Sequence, residues 1–143
     1  MRLFSLLMLA LVCVNMQAAE FDGRAVFGTA PGHDVDSALK RAVKEKKKVL
    51  LFGFDPNVGG SFPGYDINFF MDLGQTKTLV KEHFIVVVLE RGQKDLQRYP
   101  NPGAPEKAYY VLINASGKSM ATGPAGINGN TSLKLVQQWL ALP

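Results

Sequence analysis

"KKKVLLFGFDPNVGGSFPG", residues 46–64, decides how this chain is read. Lysines precede a continuous apolar run, Val49–Phe54, which Asp55-Pro56 ends. Uninterrupted apolar character over so short a span is the pattern of a strand buried on both faces, as in sheets covered by helices on each side. The loop that follows is built from Gly, Pro and Asn, at the end of a strand where α/β proteins commonly place their chemistry. Yet it holds no nucleophilic thiol and no histidine.

The chain has 143 residues, 47% of them hydrophobic and 20% charged, which suits one folded domain with a substantial core. Its first residues belong to a different kind of segment. Arg2 precedes the apolar run "LFSLLMLALVCV" (3–14), and "NMQAA" supplies a polar, small-residue exit, so residues 1–19 are expected to be a secretory signal peptide cut after Ala19. A retained membrane anchor would need about 20 apolar residues. Cys13, the single cysteine, lies inside this segment. A lipoprotein reading would acylate it, although Val12 is larger than the residue usual before such a cysteine. The processed chain is expected to be periplasmic or secreted, with no thiol and no stable membrane span. Removing Arg2 from the 16 basic side chains leaves 15 against 12 acidic, a modest net charge of +3.

Outward from the opening stretch, residues 20–33 mix Gly and Pro with isolated apolar residues and are expected to form an extended lead-in to a domain over 34–143. Ala38, Leu39, Ala42 and Val43 recur at helical spacing behind Asp34 or Asp36 as cap. "YDINFFMDL" (65–73) reads as a short helix capped by Asp66 and broken by Gly74, and "TKTLVKEHF" (76–84) as a second helix. "FIVVVLE" (84–90) is a second buried strand, and helices between two such strands imply a parallel crossover. Three prolines, Pro100, Pro102 and Pro105, interrupt the next connection. "YYVLIN" (109–114) and "SMATG" (119–123) form a hairpin about "ASGK". A last helix over 131–142, capped by Asn130 or Thr131, presents Leu133, Val136, Trp139 and Leu140.

In this order "ALKRAVKEKKKVLLFGF", "EHFIVVVL", "YYVLINASGK" and "LVQQWLAL" resemble the exported thioredoxin-like proteins over about residues 34–142. The resemblance implies an α/β, thioredoxin-like fold, a mixed four-stranded central sheet flanked by helices. Redox-active members carry a Trp-Cys-x-x-Cys loop after the first core strand, its first thiol activated at a helix N-terminus. Laid on that pattern, Pro56 falls near the tryptophan, and Asn57 and Gly60 near the two cysteines. Pro63-Gly64 would interrupt the helix that normally starts there. The family's cis-proline before the third strand falls at Ala108, with Pro105 the nearest proline. The loop resembles a thioredoxin active-site loop with its chemistry removed.

The expected function is therefore an interaction module of the cell envelope without redox activity, binding another exported or envelope protein through Asn57, Gly60, Phe62, Tyr65 and Pro105, with no cofactor, no metal and no nucleic acid. Among the aromatics of this region Phe69 and Phe70 are expected in the core, while Phe62 and Tyr65 are left open between core and binding patch. The alternatives are a cysteine-independent enzyme using Asp55, Asp66 or His33 as acid–base groups, or an inhibitory, immunity-type partner of another exported protein. Smaller features have plainer readings: "GHDVD" (32–36) as helix capping rather than a metal site, and "KEKKK" (44–48) as a solvated helix end complementing the macrodipole rather than a nucleic-acid or membrane patch. Asn57, Gly59 and Gly60 read as a turn rather than a phosphate-binding nest, since no Lys-Ser/Thr follows them.

Overall fold

A computed structural model describes residues 21–57 and 64–143. Within them β1 (Lys48–Phe54) and β2 (Phe84–Glu90) are parallel, Lys48 opposite Phe84 and Phe54 opposite Glu90. β3 (Tyr109–Ile113) runs antiparallel to β1, and β4 (Ser119–Pro124) antiparallel to β3, giving the order β2-β1-β3-β4. This is the expected mixed four-stranded sheet flanked by helices.

Both faces of the sheet are covered, and that is why β1 is apolar throughout: every residue from Val49 to Phe54 is buried. On one face Leu50, Phe52, Val86, Val88, Tyr110 and Leu112 meet α1 (Gly23–Phe27), α3 (Tyr65–Phe70), α4 (Gly74–His83) and α5 (Gly129–Leu140). On the other, Val49, Leu51, Ile85, Val87, Val111 and Ile113 meet α2 (Val35–Glu45) and Tyr99. No helix among the described residues is long and apolar enough to cross a membrane.

The segment expected to be an extended lead-in is partly helical. Asp22 caps α1 by accepting from the Ala25 N–H at 3.1 Å, and Gly28 ends it in the left-handed region at φ 71°. Five residues are too few for apolar periodicity to register, so only the two caps marked this helix. Val26 and Phe27 are buried in the main core, and Gly32 then adds one rung to the outer edge of β2: its N–H donates to Val86 C=O at 2.8 Å and its C=O accepts from Val88 N–H at 3.0 Å. Residues 21–32 thus pack as part of the domain and cover an edge that would otherwise be open to pairing.

Other differences are matters of helix phase. Gly74 does not break a helix but begins α4. Asp66 lies in the first turn of α3, whose N-cap is Gly64. α5 is capped by Asn128, which accepts from the Thr131 N–H at 2.9 Å, so the helix starts two residues early and turns Ser132, Val136 and Trp139 inward while Leu140 is exposed. In α2, Val35, Ala38 and Ala42 face the sheet and Val43, one position further round, is exposed. The lysine cluster ends α2 at Lys46, and the Lys48 ammonium donates to Leu142 C=O at 2.8 Å.

Candidate functional site

β1 delivers its C-terminal end beside the start of β3, Gly53 opposite Tyr109. Gly53 is required there: a Cβ would stand 2.5 Å from the Tyr109 ring, which lies across the strand and donates its hydroxyl to Tyr99 C=O at 2.8 Å. Two residues later the chain turns at Asp55-Pro56-Asn57. The Asp55 carboxylate accepts from the Asn57 N–H at 2.9 Å, an Asx turn, and from Arg91 Nη1 at 3.0 Å. The parallel register makes this possible, because Phe54 pairs with Glu90 and the Arg91 N–H donates to Phe54 C=O at 2.8 Å. The Asn57 N–H, and next the Arg91 guanidinium, hold the Asp55 carboxyl below the usual carboxylate range.

Of the five expected binding residues, Asn57 is exposed at the end of this turn, while Gly60 and Phe62 lie outside the described residues. Gly64, ahead of α3, has φ 77° and the Phe21 ring directly against it; an added Cβ would collide with that ring. α3 then opens the division among the aromatics. Phe70 is fully buried and meets Phe52 edge-on at 5.2 Å between centroids. Tyr65 and Phe69 are 53% and 43% exposed and form a T-shaped pair at 4.7 Å. Phe69, expected in the core with Phe70, is instead at the surface, one helical turn from Tyr65 on the outward side of α3, because adjacent helical side chains point about 100° apart and only Phe70 turns toward the sheet.

Opposite the turn, Ala108 is buried immediately before β3 and its C=O accepts from the Ala125 N–H at 3.0 Å. Pro105 is exposed three residues upstream, and no cis peptide bond occurs among the described residues. It lines a cavity of about 270 Å³ together with Phe54, Leu96, Pro100 and Tyr109. Asn57 and Tyr65 are not among the residues that line it. Of the described expected site residues, only Pro105 lines this cavity, so Asn57, Tyr65 and Pro105 do not form one pocket.

The other candidates have structural duties. Asp34 caps α2, accepting from the Ser37 hydroxyl at 2.7 Å and the Asp36 N–H at 2.9 Å, and these bonds, the hydroxyl's first, hold its carboxyl below the usual range. Asp36 pairs with Arg98 at 3.1 Å, and His33 Nδ1 lies 3.3 Å from Val88 C=O. No group of three metal-type ligands occurs among the described residues. Arg91 is the residue that sequence reasoning missed. Its only signal was position, first after β2 as Asp55 is first after β1, and that becomes legible once the strand register is known.

No family model matches the chain, and no curated protein sequence does. Solved structures do. A thioredoxin from Thermus thermophilus superposes with a TM-score of 0.60 over 78% of this chain and 87% of its own, at 18% identity. The chain has the thioredoxin fold. A disulphide isomerase from Xylella fastidiosa Temecula1 gives 0.55 at 20% identity, covering 74% of this chain and 88% of its own. The C-terminal domain of Neisseria meningitidis DsbD, in the oxidised form, gives 0.55 at 16%, covering 76% and 98%. At such identities the likeness establishes architecture alone. Within this thioredoxin fold the turn after β1 carries Asp55, Pro56 and Asn57, and the chain's one cysteine, Cys13, lies outside the described residues.

Proposed function

We propose that this chain is an exported thioredoxin-fold binding module of the cell envelope that has no redox function and docks another exported protein with the end of the sheet beyond β1. The observation that carries this reading is the content of the turn. Asn57 and Gly60 fall near the positions where a redox thioredoxin carries its two cysteines, and neither can supply a thiolate; the acidic group at the start of the turn, Asp55, is already engaged by the Asn57 N–H and Arg91. A carboxylate cannot attack a disulfide, and a chain with one cysteine cannot hold a Cys-x-x-Cys pair. Export rests on the residue pattern of 1–19.

Binding is supported by Tyr65 and Phe69, an aromatic pair displayed on α3 beside the turn, since such aromatics are the usual anchors of protein interfaces. The catalytic alternative requires an acid–base carboxyl with a raised pKa, and Asp55 is shifted the other way. The test uses residues 20–143 as bait in the envelope fraction of the producing cell, with captured proteins identified by mass spectrometry. Tyr65→Ala with Phe69→Ala is expected to weaken capture of the specific partner by about 2 kcal/mol or more. The unfolding midpoint should stay nearly unchanged, because both side chains are exposed. Turnover of insulin disulfides by the same protein, or capture indifferent to the double substitution, would overturn the reading.

A further inference from the structure

The cavity beside Pro105 has a composition that the surrounding fold does not require. Its apolar part comes from Phe54, Leu96, Pro100 and Tyr109; its charged lining residues are Arg91 and Lys107, and no Asp or Glu lines it. The polar groups are mostly donors. Arg91 uses one nitrogen on Asp55, and its side chain is 61% exposed, leaving further N–H groups of the guanidinium for a second acceptor. Lys107 has no carboxylate in ion-pair range among the described residues. Gln93 spends its carbonyl oxygen on the Glu90 N–H at 2.6 Å, so its amide N–H groups remain to donate.

The walls are built before any ligand arrives. Asn101 donates from Nδ2 to Ala104 C=O and to Lys107 C=O, each at 2.9 Å, and accepts from the Gly103 N–H at 2.9 Å, which ties down the proline-rich segment. The Tyr109 hydroxyl anchors the back wall on Tyr99 C=O. A pre-formed site of this kind loses little ordering entropy when it is filled. At about 270 Å³ the cavity lies near the small end of ligand pockets, which run about 300–1,000 Å³, the scale of one large side chain and its polar end.

Apolar walls and two lining cations, Arg91 with one nitrogen on Asp55 and Lys107 with no carboxylate in ion-pair range among the described residues, fit an acceptor-only anion attached to an apolar body. We propose that this cavity binds an apolar group next to a free carboxylate, the chemistry of a small hydrophobic carboxylic acid and of a peptide's C-terminal residue. This rests on the reading of the chain as a binding module and gives the module a ligand class. The donors would hold the carboxylate, and Phe54, Leu96 and Tyr109 would take the side chain.

The experiment titrates residues 20–143 with N-acetylphenylalanine, with its C-terminal amide, and with the pentapeptide Gly-Ser-Gly-Ser-Phe, following ¹H–¹⁵N shifts of the Gln93 and Gln97 side-chain amides and the Lys107 and Tyr109 backbone. The acid is expected to move these resonances and to bind about fivefold or more tightly than the amide, with Lys107→Gln, an exposed change, removing most of that difference. A peptide that binds at least as well as the acid assigns a chain terminus as the source; the acid binding without the peptide assigns a free small molecule. Equal binding of acid and amide overturns the proposal, as does the absence of shifts at these residues. Shifts confined to Tyr65 and Phe69 also overturn it, while leaving the binding-module reading standing. Loss of both the cavity response and the capture that depends on Tyr65 and Phe69 would remove that reading as well.

Discussion

Replacing Trp139 with alanine tests whether the last helix closes the core as described. The indole is 3% exposed and lies between three rings: Phe70 stacked at 6.1 Å, Tyr110 tilted at 5.0 Å and Phe84 edge-on at 6.4 Å. A buried tryptophan removes about 150–250 Å² from water. At about 25 cal/mol per Å² that is roughly 4–6 kcal/mol, an upper figure because the unfolded chain already hides part of this surface. Measured Trp→Ala costs in cores run about 3–5 kcal/mol, so the expected loss is about 4 kcal/mol. A domain of this size has on the order of 5–15 kcal/mol in total, and the variant should fold with a much lower midpoint. With a urea m-value of about 2 kcal/mol/M the midpoint should fall by about 2 M, read by far-ultraviolet circular dichroism because the indole fluorescence is gone. Leu140→Ala is the control. Helical spacing alone puts Leu140 on the same face, but it is 37% exposed, and its loss is expected to stay within about 0.5 kcal/mol. A Trp139→Ala cost below about 1 kcal/mol, or equal costs at the two positions, would refute the placement of α5.

Burial pushes the Tyr109 hydroxyl up to about 12. Its unfolded value is about 10, so stability from this group is complete below that pH and lost as the pH rises towards about 12. Tyr109→Phe should cost about 1 kcal/mol at neutral pH, for the bond to Tyr99 C=O, and give a shallower alkaline unfolding limb; an unchanged limb would show that Tyr109 is not the group responsible. For Asp55 the sign is reversed: the folded pKa is lowered, so its contribution is present above the unfolded value near 3.9 and disappears as the pH falls through the folded one. A ¹³C titration should find its carboxyl midpoint below the unfolded value near 3.9, and Arg91→Gln should move that midpoint upward; no movement would mean that the ion pair does not form in solution. Processing is checked by intact mass of the exported protein, expected to start near Glu20, with a diacylglycerol mass on Cys13 the contrary result.

By itself the sequence determined the layout of elements wherever burial is all-or-none along the chain. Val49–Phe54 and Phe84–Leu89 read as strands covered on both faces because every residue in them is apolar, and that pattern does not depend on which neighbour each strand meets. The absence of a thiol after β1 was equally legible, since it is a matter of composition. Features set by phase were less so. The inward face of α5 depends on where the helix starts, and Asn128, Asn130 and Thr131 are all residues that cap helices; packing of Trp139 against Phe70 and Tyr110 is satisfied from the first of them. α1 was too short to show a period, and its place was decided by Phe27 stacking on Phe52 at 5.5 Å.

The site divided along the same line. That a Gly- and Pro-rich turn follows β1 is written in residues 55–64. That Asp55 is held by Arg91, 36 positions away, follows from a parallel register, and backbone ladders carry no mark in the sequence saying which residue lies opposite which. Phe69 and Phe70 are adjacent and chemically identical, yet one is exposed and the other fully buried, because neighbouring helical side chains point about 100° apart and the sheet lies on one side only. The cavity beside Pro105 belongs wholly to the tertiary level: Phe54 ends β1, Tyr109 begins β3, and Arg91 and Lys107 come from two connections that meet only once β1 pairs with both neighbours.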